Sequence, residues 1–271
     1  MGINHYITSS SRGNTDMKHL IIPDTQVKPG TDMSHLRWAG KFAADKKPDV
    51  IIHLGDHYDM PSLSSYDKGK RSFEGRRYKA DIEAGNRAMD IFMEPINRMN
   101  GQLRRAGKEE YKPRLVFLLG NHEHRIERTT QEHPELEGIL GYHDFNLEQH
   151  GWEVHPFNEV VIIDGIAYTH YHTSGVMGRP VTSARIMLNK KMMSCVMGHV
   201  QQRDVAFAHR ADGKRMIGLF AGTYYQHDED YLGPQGNNQW RGLWMLHEVD
   251  DGGCDEMPVS INYLEKKYGG E

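Results

Sequence analysis

The chain has 271 residues, 38% of them hydrophobic and 26% charged, an ordinary globular composition with enough material for a full α/β core. Its formal charge of −4 argues against non-specific coating of nucleic acid, which normally takes a basic protein. Cys195 and Cys254 form neither a CxxC pair nor a disulfide framework, and no apolar run has membrane-spanning length or the look of a signal-peptide core, so a cytoplasmic protein without membrane partners is expected.

Residues 1–17 are polar and read as a mobile N-terminal tail. A strand over 18–22 ends in Pro23-Asp24-Thr25-Gln26, and Asp32 or Ser34 caps a helix whose apolar positions are Leu36, Ala39, Phe42 and Ala43. The apolar run 50–54 is a second strand, ending in Gly55-Asp56-His57-Tyr58-Asp59. An insertion at about 60–79 follows, carrying Lys68, Lys70, Arg71, Arg76, Arg77 and Lys79; a polar connection of that length suggests a lid or a grip on a polyanion. Helical spacing over 77–97 leads to a third strand, 115–119, which stops at Gly120-Asn121-His122-Glu123. Asn121 or His122 is expected to open a short helix that closes near Pro134.

The second half has shorter strands. Asp164-Gly165 joins 159–163 to 166–169 as a hairpin, and a helix over 181–191 precedes a strand at 194–197. Further strands are expected at 204–209, 215–220, 242–249 and 258–262. Parallel runs mixed with hairpins predict an α/β fold of two packed mixed sheets flanked by helices, in one domain spanning 18–271.

Five strand ends carry Asp, Asn, His or Gln, at the edge where open α/β sheets hold ligands. Scattered carboxylates, amides and imidazoles suit a pair of divalent metals, which can activate a water and clamp a phosphoryl group. Other catalytic motifs are missing: no phosphate loop, no nucleophile elbow, and Ile126 stands where a zincin would need its second histidine.

Taken in order, Asp24-Thr25-Gln26, Gly55-Asp56-His57-Tyr58-Asp59, Gly120-Asn121-His122-Glu123, Thr169-His170 and Gly198-His199-Val200-Gln201 resemble the calcineurin-like metallophosphoesterase family over 18–220. The insertion sequence from Pro61 to Lys68 is similar to that of phage and prophage members. The resemblance implies a four-layer αββα sandwich and hydrolysis of phosphate mono- or diesters by a metal-activated hydroxide. It implies that Asp56 bridges two metals, that Asn121, His170 and His199 complete one site, and that Asp24 with positions 26 and 201 completes the other. His122 would contact the phosphate or protonate the leaving oxygen, oriented by Asp59, and Arg125 is a candidate for a substrate oxygen or a surface salt bridge.

The chain departs from that pattern at Gln26 and Gln201, where the family carries histidine. Amide oxygens are harder, weaker donors, so this second site is expected to be the weaker one and the cofactor to be manganese, with magnesium, nickel, zinc or iron as alternatives. The competing expectation is a degenerate relative that binds phosphate or nucleic acid without catalysis. His53, His57 and His172 are candidates to compensate for the missing imidazoles. The expected partner is a phosphate ester, with nucleotides and nucleic acid among the candidates; the sequence is silent on oligomeric state.

Overall fold

A computed structural model of the chain describes residues 16–65, 68–229 and 233–270. Residues 1–15 of the expected tail, and Tyr66 and Asp67 of the insertion, lie outside the described residues. In chain order the elements are β1 (His19–Ile22), α1 (Ser34–Lys46), β2 (Val50–His53), α2 (Tyr78–Arg105), β3 (Arg114–Leu118), α3 (Arg125–Glu132), β4 (Glu153–His155), β5 (Val161–Ile163), β6 (Ile166–Thr169), α4 (Ala184–Lys191), β7 (Ser194–Met197), β8 (Arg203–His209), β9 (Arg215–Ala221), α5 (Gly233–Gly236), β10 (Gly242–Asp250), β11 (Gly253–Ser260) and α6 (Ile261–Tyr268).

Two mixed sheets result, ordered β11-β10-β1-β2-β3-β4 and β5-β6-β7-β9-β8. The period-two alternation of each strand sorts its side chains into layers. Ile21, Ile52, Val116, Leu118, Trp244 and Leu246 of the first sheet meet Ile166, Tyr168, Val196, Ile217 and Leu219 of the second in one buried core. Leu20, Ile22, Ile51, Phe117, Leu243 and Met245 point the other way, onto Leu36, Phe42, Met89, Phe92 and Leu264 of α1, α2 and α6. On the far side Ala167, Cys195, Met197 and Phe220 pack against Ala184, Met187 and Leu188 of α4. The layers therefore run helix, sheet, sheet, helix. Because the central strands are covered on both faces, they read as unbroken apolar runs.

Several boundaries differ from expectation. The helix expected over 77–97 continues to Arg105, with Pro95 inside it. Neither Asp32 nor Ser34 caps α1; Met33 holds that position without a side-chain bond, and Asp32 accepts from the backbone N–H and hydroxyl of Ser34 instead. Residues 121–124 form turns, and the regular helix starts only at Arg125. The last strand begins at Gly253 rather than 258 and gives way to α6 at Ile261. Pro258 is tolerated within it because β11 is the sheet edge. Short β4 and α6 have no counterpart in the sequence reading.

Among its described residues the insertion includes the helical turns Pro61–Leu63 and Arg71–Phe73, tied down where the buried Asp81 carboxylate accepts from the Ser62 N–H at 2.9 Å. Met17, from the end of the expected tail, packs on the inter-sheet core and accepts from Val249 N–H at 3.0 Å. Both cysteine thiols are buried and pushed up to about 12, so they stay protonated. Among the described residues no helix is long and apolar enough to cross a membrane.

Candidate metal centre

Asp24 and Gln26 follow β1, Asp56 and Asp59 follow β2, and Asn121 and His122 follow β3; His170 ends β6, and His199 and Gln201 follow β7. β1, β2 and β3 pair in parallel, as do β6 and β7, so each sheet presents these residues at one edge. Gln26, Asp56, His199 and Gln201 all have φ between 40° and 64°. A side chain in this left-handed region costs about 1–2 kcal/mol, and such strain concentrates at functional loops.

The two sheets meet at a knot of donors. Asn121 Oδ1 lies 2.9 Å from His170 Nε2 and 2.7 Å from His199 Nδ1, and the two ring nitrogens are 3.2 Å apart. Asp56 Oδ2 is 3.4 Å from His170 Nε2. Among the described residues, Asp56, His170 and His199 are the His, Cys, Asp and Glu side chains whose ligand atoms converge, within 4.8 Å of one another. His170 Nδ1–H donates to the Leu54 carbonyl at 2.8 Å, which fixes the tautomer of the neutral ring and turns Nε2 toward Asn121, His199 and Asp56. Without a cation there, burial would lower the His170 pKa, but the Asp56 and Asp24 charges outweigh it and hold the ring protonated up to about 9. His199 is driven the other way, to about 4, by burial and by the charge of His170. Asp56 stays ionised despite burial, because His122 and His170 pull its pKa far down. A carboxylate, an amide oxygen and two imidazole nitrogens pressed together without a fixed donor among them fit a divalent cation.

The β1 side is different. Asp24 is buried; its Oδ1 accepts from His199 N–H at 3.1 Å, and its Oδ2 has no partner. Burial, reinforced by the neighbouring Asp56 charge, raises its pKa to about 7. Gln26 is buried with both amide atoms unpartnered, while its backbone N–H donates to the Asp56 carbonyl at 2.8 Å. Gln201 accepts from the Tyr225 hydroxyl at 3.3 Å, which itself accepts from Gln239 Nε2 at 2.5 Å. Orphaned buried oxygens on Asp24 and Gln26 again fit a cation, held by harder and weaker donors.

Two close approaches depend on glycine. A Cβ at Gly120 would sit 2.1 Å from Asp56 Oδ1, and one at Gly198 would sit 2.3 Å from Asp24 Oδ1.

Next to the knot, His122 Nδ1 is 2.6 Å from Asp59 Oδ1, and His122 Nε2 is 3.7 Å from Asp56 Oδ2. Burial is the largest influence on His122 and lowers its pKa, but the Asp56 and Asp59 charges outweigh burial and Arg125, and the net shift is upward. Lys28 Nζ stands 3.8 Å from Asp59 Oδ2 and is itself held by Glu229 at 2.8 Å. Arg125 Nη1 donates to the carbonyls of Asp59 at 2.7 Å and Met60 at 3.3 Å, gripping the backbone of the loop that carries Asp59.

One residue in the Gly-Asn-His-Glu stretch had no role assigned from sequence. Glu123 is fully buried, and its carboxylate accepts from four backbone N–H groups: Asp56 at 3.0 Å, His57 at 2.7 Å, Tyr58 at 2.8 Å and Gly120 at 2.8 Å. It thereby staples the loop after β2 to the loop after β3, fixing Asp56 beside Asn121. The signal was the motif itself, but the use made of it requires the tertiary approach of the two loops.

Two of the histidines considered as substitutes, His53 and His57, are engaged elsewhere. Gly55 N–H reaches His53 Nδ1 at 3.2 Å, His53 Nε2 lies 3.2 Å from Thr25 Oγ1, Thr25 Oγ1 lies 2.7 Å from His57 Nδ1, and His57 Nε2 lies 3.0 Å from the Gly85 carbonyl. One neutral tautomer of each ring satisfies this whole chain, and burial lowers both rings' pKa. His172 is buried and not in the converging group.

No family model matches the chain. It is similar to the "Gene 54 protein" of Mycobacterium phage L5, at 29% identity over 195 residues, 69% of each chain. It is also similar to the "Gene 54 protein" of Mycobacterium phage D29, at 35% identity over 77 residues, 28% of this chain and 29% of that protein.

Proposed function

We propose that this protein is a divalent-metal-dependent phosphoesterase of the calcineurin-like, phage type, acting on a phosphate mono- or diester. The observation that carries the proposal is the convergence at His170: its Nδ1–H is fixed by a backbone carbonyl, and its Nε2 faces Asn121 Oδ1, His199 Nδ1 and the Asp56 carboxylate. In this reading Asp56, Asn121, His170 and His199 hold one cation, and Asp24, Gln26 and Gln201 share Asp56 to hold a second, weaker one. Bound there, the cations would supply Lewis acidity toward a phosphoryl oxygen and lower the pKa of a water. Manganese suits the mixed oxygen and nitrogen donors.

The protein's own groups supply proton transfer. Asp59 fixes His122 with Nδ1–H toward the carboxylate, so a protonated Nε2 would donate to the leaving oxygen. The Asp59 carboxylate beside Nδ1 favours the protonated ring and so helps retain that proton. Arg125 acts here by holding the Asp59–Met60 backbone, and through it the dyad.

A second reading, a non-catalytic phosphate- or nucleic-acid-binding relative, is favoured by the amides at Gln26 and Gln201 in place of imidazoles. The retained His122–Asp59 pair argues against it, because a binding module has no use for an oriented acid. The test is hydrolysis of p-nitrophenyl phosphate and bis-p-nitrophenyl phosphate by manganese-loaded protein. Cleavage of either supports the enzyme; no cleavage with manganese, nickel, cobalt, zinc or magnesium overturns it.

A further inference from the structure

A cleft of about 180 Å³ opens between the Pro61–Leu63 turn and α3. Its wall includes Ser62, Lys68, Arg125, Arg128 and Thr129, with Glu132 as its acidic member. Three cations against one carboxylate make it locally positive, in a chain whose formal charge is −4. Lys68 and Arg128 are exposed, and the Ser62 hydroxyl is buried without a partner. The volume falls below the roughly 300–1,000 Å³ of sites that enclose a whole small molecule, so it suits a single phosphate-sized group.

The cleft is linked to the proposed centre through Arg125. Arg125 lines it and also grips the Asp59 carbonyl, and the backbone runs from Asp59 through Met60 and Pro61 to Ser62. We infer that the cleft is a second phosphate subsite, taking a phosphate of the substrate other than the one cleaved. This rests on the phosphoesterase reading and narrows it: the substrate carries at least two phosphates, as a nucleic acid strand or a polyphosphorylated nucleotide does. Two other basic residues of the insertion are used differently. Arg76 Nη1 donates to the Pro61 carbonyl and Arg77 Nη1 to the Arg76 carbonyl, so they brace the loop.

The test is binding of a fluorescent phosphorothioate-linked oligothymidylate, which resists hydrolysis, to manganese-loaded protein across a salt series. The double variant Lys68→Ala/Arg128→Ala is expected to weaken the Kd about tenfold and to reduce the salt slope by about 0.7, the value for one lost single-strand phosphate contact. Arg77→Ala, which removes the same kind of charge outside the cleft, is expected to change the Kd less than about twofold. Displacement of the oligonucleotide by a nucleoside triphosphate, itself dependent on Lys68 and Arg128, would identify a nucleotide as the occupant; lack of displacement would identify the strand. The inference is overturned if the wild type binds neither, or if the double variant binds both as the wild type does. Because the readout is binding, a protein inactive on every ester but with this charge dependence would remove the enzymatic reading and keep the subsite. An active enzyme whose binding ignores the double variant would do the reverse.

Discussion

The two halves of the proposed metal centre each mix fully buried and half-buried residues and are built from the same strand-end grammar, yet they differ in how their donors are held. Asp24, Gln26 and His170 are fully buried and Asp56 is 2% exposed, so depth does not separate them. On the β6–β7 side a backbone carbonyl orients His170, and Asn121 ties it to His199. On the β1 side the Gln26 amide has no partner, and Asp24, raised to about 7, is only partly ionised near neutral pH when no cation is present. Leaving an amide buried and unpaired costs about 1–3 kcal/mol. The lesson is that one donor set is preorganised and the other under-satisfied, and, on the proposed reading in which both share Asp56, the difference predicts unequal affinity for metal.

The comparison breaks hardest at His199. His199→Ala is expected to strip the tighter site and lower kcat/KM by more than about 100-fold, read from bound metal and turnover together. Full metal content and full activity would mean that the knot is structural. Asp59→Asn sharpens the same contrast by sparing both halves: kcat should fall roughly 10²- to 10⁴-fold while metal content stays at the wild-type value. Loss of metal in that variant would assign Asp59 to the centre rather than to His122.

Glu123→Gln tests what holds the halves together. Four N–H groups need a carboxylate's four acceptor positions, and an amide NH2 would face two of them donor to donor. Denaturant unfolding of the metal-free variant should show a loss of about 2–5 kcal/mol. Unchanged stability would mean that the strand-end loops are fixed by something else.

The smallest expected effect lies outside both halves, at His35. Burial depresses its pKa to about 3 from 6.5, so the unfolded chain binds the extra proton first. Its share of stability is fully present above pH 6.5 and is lost as pH falls toward 3, at up to about 1.4 kcal/mol per unit. His35→Leu should flatten stability against pH in that window while leaving metal affinity at neutral pH unchanged. A slope identical to wild type would show that other groups, such as His57 and His172 at about 4, carry the acid sensitivity.

How far the sequence could be read follows from which information is local. Apolar runs that end in Gly-Asp, Gly-Asn and Gly-His announced both the buried parallel strands and the edge where their polar residues gather, because strand burial and strand-end chemistry are written within a few residues. Asp164-Gly165 announced its hairpin by the left-handed geometry that both residues adopt, at φ 47° and 83°. What escaped was non-local. Glu123 needs two loops to meet before its four bonds exist, Lys28 reaches Glu229 across 201 positions, and the basic residues that line the cleft come partly from α3 rather than from the insertion alone. The His53–Thr25–His57 chain was likewise invisible, so histidines available for metal by composition are spent on one another.

The central claim, that the two halves bind metal unequally because one is preorganised and the other is not, is tested most directly by calorimetric titration of manganese into metal-free protein. Two unequal affinities are predicted, and the double variant Gln26→His/Gln201→His should tighten the weaker one about tenfold or more while leaving the stronger unchanged. Two equal affinities in the parent, or a double variant that alters the stronger step or neither, would contradict the account.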